Sequence, residues 1–431
     1  MKKFISVIFV CAILYIGIGA ACAFAADTDA LLQKLVEKGV LSSSEAQQVR
    51  TEANEEAQKT DKQKEEDYKK LAKDSQPDWV KNTKLKGDYR LRYQLDKDKG
   101  QEEWNRMRIR ARIGLEAKVN DKVATGVGIA TGKAGDPRST NITIGNDPAA
   151  SNTPASYKSI ILNYAYARYL PFDGLMFVGG KFDNNLWQPS DLLWDGDLNP
   201  EGAGLNLKYE LNPEFELFLN NQFFWLRNDT RVDKQPMMFA EQPGFKWKIS
   251  DEMSLKSALA LYEFAGVKGT AKFATYDSTN TLLNNNYLYN YNSVNPSFEL
   301  AFNEPFWGLV PQASIFGDYV YNYSGRVHSS RDGFDSGVKF GDKKLDGWGQ
   351  WQAKILYSKL GRDAWLDIFP DSDRYNGKTN MKSFETEFNY GLGKNTSLGI
   401  DYYYSQSLNK ASEAAGFAPQ QVLQFDWNVK F

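Results

Sequence analysis

The chain has 431 residues, a formal charge of −2, a mean hydropathy of −0.53 and 14 % aromatic residues. That length suits two or three ordinary domains or one β-barrel, because barrels run long as single domains. The acidic balance makes nucleic acid an unsuitable partner, and beyond the N-terminus no apolar run is long enough for a spanning helix.

Residues 1–25 read as a secretory signal peptide. Lys2 and Lys3 charge its start, Phe4 to Gly19 form its apolar core, and Ala23-Phe24-Ala25 is an A-x-A cleavage site. Gly19 stands where a lipobox carries a branched residue, so lipidation at Cys22 is not expected. Cys11 and Cys22 are the only cysteines. Cleavage therefore leaves no disulfide, thiolate metal site or cysteine nucleophile. It also removes two of the 52 basic residues set against 54 acidic ones, taking the charge from −2 to −4.

Residues 26–76 are expected to form a helical, coiled-coil-like extension. Leu31, Leu32, Leu35 and Val36 have helical spacing, and Gly39 fits a C-cap. Ser42-Ser43-Ser44-Glu45 is a capping-box pattern that starts a second helix. From Glu45 to Asp74 nearly every residue is charged, Gln or Ala, with a thin stripe of Ala46, Val49, Ala53 and Ala57. The expectation is a solvated helix ending before Pro77; the heptad cores are poor for a coiled coil.

From residue 77 to 431 the material changes to strands. In Lys84 to Tyr93, Leu85, Gly87, Tyr89, Leu91 and Tyr93 alternate with Lys84, Lys86, Asp88, Arg90 and Arg92. In Arg106 to Val119, Met107, Ile109, Ala111, Ile113, Leu115 and Ala117 alternate with Arg106, Arg108, Arg110, Arg112, Glu116 and Lys118. A helix mixes such sets and a strand separates them. Further strands are predicted to begin near Lys122, Lys158, Gly174, Ala203, Glu214, Met237, Glu252, Pro296, Pro311, Phe334, Gly347, Thr379, Thr396 and Gln421. Within Ile160 to Tyr169 the pattern leaves the facing open.

Short connections at Asn120-Asp121, Leu170 to Asp173, Asn212-Pro213, Ser250-Asp251 and Gly391 to Asn395 alternate with long polar loops at 132–157, 183–202, 265–295, 360–378 and 406–420. Short turns at one rim and long loops at the other are the asymmetry of an outer-membrane barrel. The fold class expected is all-β: a transmembrane antiparallel β-barrel of about sixteen strands, with a short α-helical N-terminal extension in the periplasm.

The last strand ends on Leu423, Phe425, Trp427, Val429 and Phe431, with Gln424, Asp426, Asn428 and Lys430 between them. It resembles the C-terminal strand of bacterial outer-membrane proteins. That resemblance implies that Phe425, Trp427, Val429 and the closing Phe431 form an assembly signal, with the barrel-assembly machinery and outer-membrane lipid as partners.

Leu31 to Ala46, Pro77-Asp78-Trp79 followed by Leu85 to Tyr93, Trp194 to Asp197 with Asn199 to Gly202, and Asp371 to Asp373 with Gly377 to Asn380 are similar to stretches of the Putative porin family of Gram-negative bacteria. The resemblance covers most of the mature chain. It implies a sixteen-stranded diffusion pore in the outer membrane, a homotrimer, passing small hydrophilic solutes or ions.

Arg90, Arg92, Arg106, Arg108, Arg110 and Arg112 sit on the polar face of two neighbouring strands, so they form one basic wall. Arginine keeps its charge at any relevant pH. The loop 183–202, third in order, carries Asp183, Asp191, Asp195, Asp197 and Glu201 and is the expected constriction. Acid against arginine would set a transverse field that selects among solutes. The same residues could instead pair and neutralise one another. Asp191, Asp195, Asp197 and Glu201 also suit Ca²⁺ chemically, but Asp-rich turns are common without metal, and no metal site is assigned.

No enzyme is expected. His328 is the only histidine, and its loop neighbours Ser329 and Ser330 do not make a triad. Gly126-Val127-Gly128 with Gly132 lies in a strand with no following helix, so no nucleotide loop and no cofactor are expected. The alternative reading is a receptor or adhesin using the long loops, above all 265–295.

Overall fold

A computed structural model describes residues 32–74, 78–145, 155–228, 235–273, 279–325, 327, 329–409 and 418–431. Residues 1–25, expected to be a signal peptide, Pro77 and His328 lie outside the described residues. The chain divides into two units after Lys81.

In the first unit, residues 32–37 are helical. Gly39, at φ 68°, ends that turn in the left-handed region, where the lack of a Cβ removes the steric cost. Helix α1 (Ser43–Asp74) begins with a reciprocal cap. Glu45 donates its backbone N–H to Ser42 Oγ at 3.3 Å, and Ser42 N donates to Glu45 Oε2 at 2.9 Å. Two orphan donors of the first turn are satisfied at once.

The second unit is a closed barrel. Its sixteen long strands are β1 (Thr83–Asp98), β2 (Trp104–Lys118), β3 (Val123–Thr131), β4 (Ile160–Phe172), β5 (Leu175–Lys181), β6 (Glu201–Asn212), β7 (Phe215–Trp225) and β8 (Met237–Lys248). The series continues with β9 (Met253–Ala265), β10 (Ser293–Asn303), β11 (Gln312–Asn322), β12 (Asp332–Gly341), β13 (Trp348–Leu360), β14 (Met381–Gly393), β15 (Thr396–Ser407) and β16 (Gln420–Lys430). Each pairs antiparallel with the next, and the two-residue strand Ile142–Thr143 adds to β2. Closure comes from β1 against β16, with Leu91 opposite Trp427 and Tyr93 opposite Phe425. A closed sheet leaves no unpaired edge in lipid.

The polarity is inverted relative to a soluble protein. Leu85, Ile113, Val127, Ile400, Phe425 and Trp427 are exposed on the outer wall, while Arg92, Asn220, Gln242, Asp335, Glu385 and Gln424 are buried on the lumenal side. Hydrocarbon outside and polar groups inside impose that alternation.

The facing left open in β4 has a local cause. Opposite Gly128 stands Tyr164, but opposite Ile129 stands Leu162, so Asn163 bulges and the parity shifts. Leu162 and Tyr169 are exposed outward; Tyr166 is buried inward. A bulge inserts one residue and reverses the alternation beyond it.

One rim has the connections 119–122, 173–174, 213–214, 249–252, 304–311, 342–347 and 394–395; the other has 99–103, 132–159, 182–200, 226–236, 266–292, 323–331, 361–380 and 408–419. The first of the second set, 99–103, is as short as a turn.

The seam is tight at Gly87, whose backbone exchanges hydrogen bonds with Phe431 at 2.9 and 3.0 Å. A Cβ there would lie 2.4 Å from the Phe431 ring and 2.6 Å from the Arg112 carbonyl oxygen. Gly87→Val is expected to cost about 1–3 kcal/mol by overpacking, read as a lower melting midpoint of the folded barrel. An unchanged midpoint would show that the seam relaxes freely.

Candidate functional site

The β1–β2 hairpin builds the basic wall by register alone. Arg90 stands opposite Arg110, Arg92 opposite Arg108, and Asp88 opposite Arg112. Like charges face to face are unfavourable without counter-charge, and carboxylates supply it. Arg92 makes a bidentate pair with Asp426, at 2.7 and 2.9 Å, and reaches Asp373 at 2.8 Å. Arg90 lies 3.2 Å from Asp426, Arg106 2.9 Å from Asp96, and Arg110 2.9 Å from Asp88. Arg112 bridges Asp88 at 2.6 Å and Asp197 at 3.0 Å. Arg108 donates to neutral oxygens: Gln94 Oε1, Ser139 Oγ and the Asn141 carbonyl.

Of the five acidic residues expected in the third loop, three lie together inside the barrel. Asp191 pairs with Arg374. Asp195 accepts from the backbone N–H groups of Asp197 and Ser372, both at 2.8 Å. Asp197 accepts from Arg112 and, at 2.9 and 2.8 Å, from the N–H and hydroxyl of Thr140. Asp183 instead lines a cavity near Lys86, Arg112 and Tyr164. Glu201 opens β6 and pairs with Lys181 at 3.0 Å; it does not join the others. Among the described residues, no group of three or more Asp, Glu, His or Cys side chains is arranged to hold a metal ion.

The loop carboxyls separate electrostatically. Burial pushes Asp195 well above the usual carboxylate range, and the nearby Asp197 adds to it. Burial raises Asp371 likewise, with Asp191 and Asp195 contributing. Burial also opposes the charge on Asp197 and Asp373, but Arg110 and Arg112 outweigh it at the first, and Arg92 and Arg108 at the second, so both lie low.

The sequence reading did not assign the 361–380 loop to the lumen, yet that loop carries half of the arrangement. Arg374, 2 % exposed, contacts Asp191, Glu385 at 2.7 Å and Asp335 at 3.4 Å. An apolar core backs it. The Trp194 and Phe369 ring centroids are 4.6 Å apart, those of Tyr262 and Trp365 4.7 Å, and Trp365 Nε1 donates to the Leu193 carbonyl at 2.8 Å. Leu192, Leu193 and Met238 complete a fully buried cluster. The 266–292 loop joins through Thr279 N and Asn280 N on Asp367 Oδ2, at 2.7 and 3.0 Å, and Thr281 on Asp363. Three loops are thus tied to one another, and two of them to the arginine wall. The signal in the sequence was the Trp365…Phe369 spacing beside Asp371-Ser372-Asp373-Arg374: apolar and charged residues too dense for a merely solvated loop.

The family model described as Putative porin matches residues 97–306 and 283–431. The chain belongs to this porin family. It is a porin, an outer-membrane β-barrel channel. No curated protein matches the sequence. Among solved structures, OprB of Pseudomonas putida at high pH is similar, with 10 % identity and a TM-score of 0.50 over 82 % of this chain and 95 % of that one. A multiply substituted Rh. blastica porin has 12 % identity and a TM-score of 0.44, over 81 % of this porin and 100 % of that chain. A triple mutant of Rhodopseudomonas blastica porin has 13 % identity and a TM-score of 0.42 over the same shares. The OprB likeness concerns the fold.

Proposed function

We propose that this porin passes small hydrophilic solutes or ions by passive diffusion through a water-filled constriction, bounded by the arginine wall of β1–β2 and by the 182–200 and 361–380 loops. The observation that carries the reading is the set of ion pairs spanning the lumen, Arg112–Asp197 and Arg92–Asp373 on one side and Arg374–Asp335 on the other. They tie the loops to the lumenal wall through side chains. A pore must bind weakly enough for solutes to leave, and arginines already satisfied by carboxylates meet that need. The reading includes removal of residues 1–25, a periplasmic leader and assembly as a homotrimer. The 266–292 loop, the main surface for a receptor reading, spends Thr279, Asn280 and Thr281 on the 361–380 loop.

Conductance of the purified barrel in a planar bilayer tests this. Stepwise open channels are the expected result; a heat-modifiable, folded barrel that conducts nothing would overturn the reading. The pH dependence is also set. As pH falls, Asp195 and Asp371 gain protons above the ordinary carboxylate range, whereas Asp197 and Asp373 keep their charge to lower pH than an ordinary carboxylate. The cation share of the current is expected to fall in one early step. A reversal potential that moves only within the ordinary carboxylate range would contradict the assignment.

A further inference from the structure

One lumenal row runs Lys86, Gly114, Gly128, Tyr164 across β1, β2, β3 and β4, each directly opposite the next. The two glycines leave a bare floor between the lysine and the ring. Tyr164 lies across that floor: a Cβ at Gly114 would stand 2.7 Å from the ring's Cζ, and one at Gly128 2.5 Å from the same atom. Glycine in a strand interior admits such a close approach to the backbone. Tyr164 and this floor line a cavity of about 390 Å³, within the ~300–1,000 Å³ of small-molecule sites.

Six charged residues line the same cavity, three of each sign: Lys86, Arg112 and Lys430 against Asp88, Glu116 and Asp183. Four of them are paired with one another. Lys86 meets Glu116 at 2.5 Å, and Arg112 meets Asp88 at 2.6 Å. Tyr166 also donates its hydroxyl to Glu116 at 2.9 Å, and Arg110 its Nε to Asp88 at 2.9 Å. Asp183 and Lys430 are both exposed, and neither has an ion pair among the described residues. Lys343 and Lys344 belong to a separate cavity that Lys430 also borders. One open carboxylate, one open ammonium and an aromatic ring thus remain in a cavity that is otherwise neutral. A simple cation or anion would match one of the two charges and face the other as its own sign. A molecule with one charge of each sign on a small apolar body matches both.

We propose that this cavity is a station for small zwitterionic solutes, α-amino acids by chemical class. The ammonium would face Asp183, the carboxylate Lys430, and the side chain the Tyr164 ring. The inference rests on the diffusion-pore reading above and names a solute class for it. Both charged partners are exposed, so each contact is weak and easily exchanged for water, which suits passage rather than retention.

The test is block of the single-channel K⁺ current by L-leucine at pH 7, with the full-length folded barrel in a planar bilayer. Leucine is expected to lower the open-channel current saturably. N-acetyl-leucine, which lacks the ammonium, and leucinamide, which lacks the carboxylate, should each block about tenfold more weakly, the change for one lost charge-assisted hydrogen bond. Asp183→Asn should weaken leucine about tenfold by the same reasoning and leave N-acetyl-leucine unchanged. Lys430→Gln should weaken leucine and leave leucinamide unchanged. A change in pore shape would not produce that crossed pattern, and heat-modifiable migration shows that each variant is folded. Open channels that leucine does not block, a glucose block equal to that of leucine, or a leucine block untouched by both substitutions would overturn the station while leaving the pore intact. Absence of any conductance would overturn the pore itself.

Discussion

Arg374→Ala is expected to release the 361–380 loop from the barrel wall and give a larger, noisier single-channel conductance. The guanidinium is buried among Asp191, Asp335 and Glu385, and the last two are 1 % and 0 % exposed. Removing one partner from a buried ion cluster costs about 3–5 kcal/mol, because the remaining charges are stranded away from water. The cheapest relief is for the loop to leave and for water to enter. The barrel wall should survive, since its strand ladders do not depend on Arg374. Arg374→Lys should give an intermediate channel, keeping the charge and losing the fork. Identical conductance and identical melting for Arg374→Ala would show that the loop is held by other means.

Trp365→Ala attacks the same loop from its apolar side. Trp365 is 0 % exposed and packs edge-on against Tyr262, Phe264 and Trp194, with centroids at 4.7, 5.3 and 5.6 Å. Truncating a buried tryptophan costs about 3–5 kcal/mol through lost transfer energy and the cavity left behind. The expected result is trypsin cleavage within 361–380, at Arg374 or Lys378, in a barrel that keeps its β-sheet circular dichroism. Those two sites are buried in the intact protein. Continued resistance to trypsin would mean that the neighbouring rings refill the space, and the core would then be weaker as an anchor than its burial suggests.

The two substitutions probe different forces at one junction. If both open the pore, the junction between the 182–200 and 361–380 loops acts as one cooperative unit. If only Arg374→Ala does, charge alone sets the loop position. In the first case the double variant should lose less than the sum of the single effects, since neighbours in one network are not additive.

Much of the fold follows from local chemistry. Lipid on one side and water on the other force period-two alternation on each strand, so Leu85 to Tyr93 and Met107 to Ala117 declare their faces without any tertiary knowledge. The capping box at Ser42–Glu45 is equally local: its two hydrogen bonds span three residues. The arginine wall was readable for a related reason, because β1 and β2 are joined by a short connection and register follows from sequence proximity.

What was not readable depends on contacts far apart in the chain. The partner of Arg92 is Asp426, 334 residues away, and meets it only when the barrel closes. Asp373, Arg374 and Trp365 look like loop residues until the 361–380 segment folds inward, and nothing local says that it must. The facing of β4 turned on one bulged residue, Asn163, and Glu201 belongs to a strand rather than to the 182–200 loop. Sequence alone determined that this chain is a barrel with a polar interior, because the two solvents act on each residue separately. Tertiary structure decided which charges remain unpaired in that interior, because pairing is a property of two positions brought together by closure and loop packing.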